Sequence, residues 1–408
     1  MAHEKVFGFS VSVVRIAAVF YALMLVYGTL FPFRGWEISH AWVENFLIAD
    51  INRLSKTDLI TNILVFLPFG FLCGSLVGRH RRAVFTLAWV GLLGFGLSFF
   101  LEFAQAFLPA RTSALSDLVL NSGGAVAGAG LALFFGGRWA WGGQLGALRR
   151  EKFASGTLAN IGLLTLVFWS LSQLSPLVPS LGVSILRHGL KPIWYTVSGQ
   201  TPFVPTQALV YFLSVFALGC LLLSFAESRR FALLFFAMGV AVVLALKVPV
   251  LSQQLSLEAL LGSGAGLVLL GVFFKCSARA LLAWAGIFLV AAFVIESLRP
   301  GSSSEYYSFN WVPFKGHMRN LVGLAAILWS SWVFLGVGFV ARSLSPVKYR
   351  LPVILFGGLG VFFLALAVEL QQQTIPGRSP DVTDVIIAMG AWTLAWVGSK
   401  SDTRCGDG

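Results

Sequence analysis

The sequence predicts an all-α, polytopic integral membrane protein with about twelve transmembrane helices, arranged as three repeated four-helix modules. Three observations predict it. The 408 residues are 57% hydrophobic and 11% charged, against about 25% charged in soluble chains, and the mean hydropathy is +0.83. Apolar stretches of the roughly 17–25 residues needed to cross a hydrocarbon core recur along the whole chain. Two polar stretches with the same internal spacing interrupt that apolar pattern.

The expected spans are 11–31, 59–77, 84–107, 116–135, 157–175, 206–226, 231–251, 257–275, 279–296, 320–340, 352–372 and 383–398. These runs lack period-two alternation and are too long for barrel strands. They are therefore helices, whose backbone groups are satisfied internally in lipid. The 43 glycines suit close helix contacts. Arg15 and the lack of a small-residue cleavage site favour an uncleaved first helix over a signal peptide.

The net charge of +12 does not point to nucleic acid, because the basic residues sort by loop. Lys5, Arg79, Arg81, Arg82, Arg138, Arg149, Arg150, Lys152, Arg229, Arg230, Lys275, Arg279, Arg342, Lys348, Arg350, Lys400 and Arg404 fall in alternate connections and the two ends. Short basic turns face the cytoplasm, so both termini are expected inside. Cys73, Cys220 and Cys276 fall in spans and Cys405 in the tail, with no spacing that suggests a disulfide or a zinc site.

Loops divide the spans into modules at 1–150, 151–276 and 277–400, with a tail at 401–408. Each module has a first helix and then an outside segment rich in Pro and aromatics (LFPFRGW, TPFVPTQ, NWVPFKG). A second helix, a short basic turn, a third helix, an outside turn and a fourth helix follow. Asn62 and Asn320 open the second helices of the first and third modules. The middle module keeps the layout but loses the polar set: matching LEALLGSGAG to SDLVLNSGGA places Glu258 opposite Asp117.

The polar stretches are EFAQAFLPARTSALSD, from Glu102, and ELQQQTIPGRSPDVTD, from Glu369. In each, a Gln follows the Glu by three positions, a Pro by seven, an Arg by nine and an Asp by fifteen. Glu102 and Gln105 share one helix face. Thr112 and Ser379 are candidate caps of the next helix, the latter with Pro380 at the first helical position. Asp117 and Asn121 then share a face with Gly124 and Gly128. A carboxylate in the bilayer costs about 2.5–3.5 kcal/mol on insertion scales, which Arg111 or Arg378 would offset as the local partner.

Such a set has two main readings. It is either an internal lock on the hairpin or a site for a phosphate-bearing headgroup, since Arg grips phosphate bidentately and a helix N-terminus adds donors. A catalytic reading would have Glu102, Asp117 and Asn121 hold Mg²⁺, yet no His or marked nucleophile joins them. No cofactor or resident metal is indicated. Twelve spans also fit major facilitator transporters, but their sites lie near the midplane between two halves, and this set hugs one edge.

Residues 58–128 resemble the VanZ-like family through Asn62, Pro68, Gly70, Glu102, Gln105, Pro109, Arg111, Asp117, Asn121 and Gly124. Residues 310–398 resemble it through Asn320, Glu369, Gln372, Pro376, Arg378 and Asp384, with Ala388 in place of the Asn and Ala391 in place of the Gly. The resemblance implies a bacterial cytoplasmic-membrane protein. The family is named for a protein associated with resistance to the lipoglycopeptide teicoplanin. Ligands are then expected among membrane lipids or lipid-linked envelope precursors at the outer leaflet.

Overall fold

The computed structural model describes residues 5–6, 9–31, 33–37, 56–108, 115–137, 140–180, 182–301, 303–315 and 322–397. Two short strands, Lys5–Val6 and Phe9–Ser10, pair antiparallel before the first helix. Everything else regular among the described residues is helical. The α-helices are α1 (Val11–Leu30), α2 (Lys56–Val77), α3 (Ala83–Gln105), α4 (Leu115–Phe135), α5 (Ala140–Lys152), α6 (Thr157–Leu174) and α7 (Val183–Val197). They continue with α8 (Pro205–Ser224), α9 (Arg229–Leu246), α10 (Leu257–Val272), α11 (Ala278–Ser297), α12 (Val322–Leu344), α13 (Arg350–Gln372) and α14 (Val382–Ala395).

Among the described residues, 11 helices are long and apolar enough to cross a membrane. The twelfth expected span, 383–398, is represented by α14, a helix of 14 residues. At 1.5 Å per residue it reaches roughly 21 Å, short of a full hydrocarbon core. The chain is a multi-pass membrane protein. Its outward faces are apolar, with Phe20, Trp89, Leu92, Phe95 and Phe99 exposed in the first part, and Leu234, Met238, Val268, Phe356 and Phe363 in the second. Apolar surface on this scale is stable against lipid tails rather than water.

Two compact units divide the chain, Met1–Arg150 and Glu151–Gly408. In the first, α2 packs closely against α4, α3 also lies on α4, and α1 rests on α2 and α3. The α2–α4 approach is set by glycines. A Cβ on Gly70 would fall 2.0 Å from the Ala125 carbonyl oxygen, one on Gly124 2.3 Å from that of Ile63, and one on Gly128 2.1 Å from that of Leu67. Small residues let backbones touch where the hydrophobic effect cannot drive helices together. Phe66, Phe69, Val90 and Leu101 fill the interior beside this contact.

The second unit repeats the pattern twice. Helix α8 packs on α10, α9 on both, and α6 on α8 and α9; likewise α12 packs on α14, α13 on both, and α11 on α12 and α13. The two four-helix runs are joined reciprocally, because α11 lies on α8 and α6 lies on α12. Helix α8 is the most enclosed of the described spans, and Phe216, Leu218, Leu221, Trp332, Phe334 and Leu335 form the centre of this unit.

Helix ends explain several charged residues. Arg342, 1% exposed, is not a residue of an open basic turn as its position suggested. Its Nη1 donates to the carbonyls of Ala395 (2.8 Å) and Val397 (3.0 Å), which closes the C-terminal end of α14 where a cation is favoured. Arg229 does the same for the Phe274 and Cys276 carbonyls. Helix α14 begins later than Ser379 and Pro380 suggested. Asp381 is its cap and accepts from the Thr383 amide at 2.8 Å.

Candidate functional site

The second polar stretch lies at the junction of α13 and α14. Glu369, 3% exposed, sits in the last turn of α13. One carboxylate oxygen accepts from the Asp381 amide at 2.9 Å, and the other from Gln372 Nε2 at 3.3 Å. The buried acid therefore satisfies the amide of Asp381, the residue just before α14, at a helix start where N–H groups lack helical partners. The Pro376–Gly377 turn between the helices is locked to the segment after α11. The Gly301 amide donates to Pro376 and the Gly377 amide to Glu305. Gly377 has φ +73, and its ideal Cβ would meet Ser303 and Gly301 backbone atoms within 2.8 Å, so a side chain fits neither the backbone nor the space. The NWVPFKG loop also docks here: Asn310 Nδ2 donates to Asp381 at 2.6 Å, and the Phe314 amide to Thr383 Oγ1 at 2.7 Å.

Arg378 does not pair with Glu369 as the hairpin's own acid. Its Nε donates to the Arg299 carbonyl at 2.6 Å, its Nη2 donates to the Glu296 carbonyl, and Nη2 lies 3.8 Å from Glu296 Oε1. Glu296 also pairs with Arg299 at 3.1 Å. Burial lowers the Arg378 pKa, and the Glu296 carboxylate beside it acts in the opposite direction. Asp384, in the first turn of α14, accepts from Ser330 Oγ of α12 at 3.0 Å.

In the first unit, Glu102 is 4% exposed in the last turn of α3. Gln105 Nε2 donates to the Thr29 carbonyl of α1 at 3.2 Å. Asn62 Nδ2 of α2 donates to Asp117 at 2.7 Å, and Asn121 Nδ2 donates to Ser98 Oγ of α3 at 2.9 Å. Arg111 and Asn320 lie outside the described residues, as do Pro109 and Thr112.

Glycine contacts give the register between the runs. Asn62 precedes Gly70 by eight residues, as Ser330 precedes Gly338, and each glycine meets the last helix of its run, at Ala125 and Ala395. Ser330 therefore occupies the place of Asn62, which the sequence pairing gave to Asn320. In the middle run, Gly262 meets the Ala208 carbonyl as Gly124 meets that of Ile63, so Gln207 takes that place. This register also moves Glu258 away from the Asp117 position. Glu258 accepts from the Val204 amide at 3.0 Å and serves the start of α8.

A cavity of about 570 Å³ opens within the second unit. Glu369, Gln372, Arg378, Asp384 and Ser330 line one part of it, together with Glu296 and Arg299. Gln173 of α6, Gln207, Tyr211 and Ser214 of α8, Trp329 of α12 and Lys247 just after α9 line the rest. Its volume lies in the range of small-molecule sites, about 300–1,000 Å³. Sequence reasoning missed Glu296, Trp329 and Lys247. The signal for Lys247 was present, since it is the sole charged residue of the span expected at 231–251, and ionisable residues inside a membrane are functional candidates. No group of three or more His, Cys, Asp or Glu suited to a metal ion occurs among the described residues.

Fold and site together define a polytopic helical membrane protein with an open polar cavity lined by its helices. Residues 18–136 match the family model described as VanZ/LLP1, so this part of the chain is a VanZ-like domain. The chain matches no curated protein and no solved structure.

Proposed function

We propose that this VanZ-like membrane protein binds the phosphate-bearing headgroup of a membrane lipid or lipid-linked envelope precursor, and alters its placement or access at the outer leaflet. The observation that carries this reading is the cavity of about 570 Å³ with both acidic and basic side chains in its wall, inside a unit whose outward faces are apolar. An amphipathic ligand fits that division, with its head in the cavity and its chains against the exposed helices. The basic connections support an orientation with both termini in the cytoplasm of a bacterial cell. An effect on envelope assembly or lipoglycopeptide susceptibility is what the VanZ-like resemblance adds to this reading.

The shared helix packing of the three runs supports their reading as copies of one unit. For Glu369 and Arg378 themselves, the hydrogen bonds favour a holding role: one holds the amide of Asp381, the cap of α14, and the other ties the turn to the end of α11. They shape the cavity, and its remaining polar groups meet the ligand.

Native mass spectrometry of the purified protein with polyprenyl phosphate and with the corresponding polyprenol tests the reading. Retention of the phosphate lipid over the alcohol is expected. Equal retention of both contradicts it.

A further inference from the structure

We propose that Lys247 is the residue that grips the phosphate group, with Ser214 and Trp329 as further donors; this rests on the headgroup-binding reading above. Lys247 follows α9 and is 4% exposed. An ammonium has three donors and no acceptor. Two of these are spent on neutral partners, Gln173 Oε1 at 3.0 Å and the Tyr211 hydroxyl at 2.6 Å. No carboxylate pairs with it among the described residues. A buried cation without a counter-ion is costly in a low-dielectric setting, and an anionic ligand in the same cavity supplies that counter-ion.

Two other groups in the wall are also left with hydrogen-bonding capacity. Ser214 Oγ and Trp329 Nε1 are buried and have no hydrogen-bond partner among the described residues, and both residues line the cavity with Lys247. Indole nitrogen only donates and a hydroxyl can donate, so the set suits a ligand rich in acceptor oxygens. The other charges of the wall are engaged elsewhere. Glu296 is held by Arg299 and Arg378, Glu369 by the Asp381 amide and Gln372, and Asp384 by Ser330. The guanidinium of Arg378 is committed to the Glu296 and Arg299 carbonyls, and both Arg299 and Arg378 face the Glu296 carboxylate, which leaves Lys247 as the cation of the wall with no carboxylate partner among the described residues.

The experiment measures binding of dioleoyl phosphatidic acid, dioleoylglycerol and inorganic phosphate to the full-length purified protein and its variants. Wild type should bind phosphatidic acid and not dioleoylglycerol. Lys247→Met should weaken phosphatidic acid binding by about tenfold or more, Lys247→Arg, which keeps the positive charge, should lose less than Lys247→Met, and the exposed Lys191→Met should match wild type. Affinity is referred to the folded fraction, read by thermal unfolding in each sample. A Lys247→Met protein that melts earlier yet binds as tightly would make Lys247 a structural tie and overturn the assignment. Should that variant not fold, Ser214→Ala/Trp329→Phe takes its place: a loss of about threefold or more supports the assignment, and wild-type affinity overturns it.

Failure of wild type to distinguish phosphatidic acid from dioleoylglycerol would instead remove the headgroup reading itself. Inorganic phosphate separates the two sources of the group. Binding of phosphatidic acid alone supports a lipid ligand, and binding of inorganic phosphate alone would overturn it.

Discussion

In the α3–α4 hairpin, Asp117 accepts from the amide of Asn62; in the α13–α14 hairpin, Asp384 accepts from the hydroxyl of Ser330. Both donors come from the second helix of their run, at the same distance from the glycine that touches the last helix. Asn121 reaches Ser98 in the first hairpin, whereas Ala388 stands in its place in the third and is fully buried. The glycines of the first contact, Gly124 and Gly128, have Ala391 and Ala395 as counterparts. The fold thus fixes where the aspartate sits, while the donor and the closeness of the helices vary. At the Asn121 position the third hairpin has exchanged a polar tie for apolar filling, and its Glu369, Arg378 and Asp384 border a cavity.

The comparison breaks first at the helix contact. Gly128→Leu should prevent folding or lower stability by more than about 3 kcal/mol, because even a Cβ would fall 2.1 Å from the Leu67 carbonyl oxygen. Gly130→Leu, with nothing within 4 Å of its Cβ, should be close to neutral. Thermal unfolding in detergent checks both, and equal melting of the two variants would refute the α2–α4 packing.

Next in size is the aspartate. Asp117→Leu should cost about 1–3 kcal/mol, since the Asn62 amide is left without its acceptor. Asp384→Leu should cost less, because a helical serine can turn its hydroxyl to the carbonyl four residues back. The reverse order in thermal unfolding would show that the two hairpins do not differ as described. Smallest is Asn121→Ala, expected to cost about 1 kcal/mol, again by thermal unfolding, with Ser98 free to bond its own helix.

Much of this arrangement was legible in the residues. Apolar length alone marked the spans, and the matched spacing brought out Glu102, Gln105, Asp117, Glu369 and Asp384, which lie at helix junctions as expected. The partners were harder to read. Glu296 binds Arg378, and Ser330 binds Asp384, from helices far away in the chain, and periodicity along one helix carries no information about such pairs. The register of the middle run was misjudged for a related reason. Letter similarity slid Gly262 onto Asn121, while backbone contact places it where Gly124 sits. Lys247 lies outside both acidic stretches and has no counterpart in their spacing, although one cation in an apolar span is as costly as one anion.

The most direct measurement is an experimental density map of the full-length protein prepared with polyprenyl phosphate. The account predicts phosphate density in the cavity of the second unit, within hydrogen-bond reach of Lys247 Nζ and adjoining Ser214 and Trp329. A saturated sample in which that cavity holds no lipid headgroup, or in which the phosphate sits away from Lys247, would contradict it.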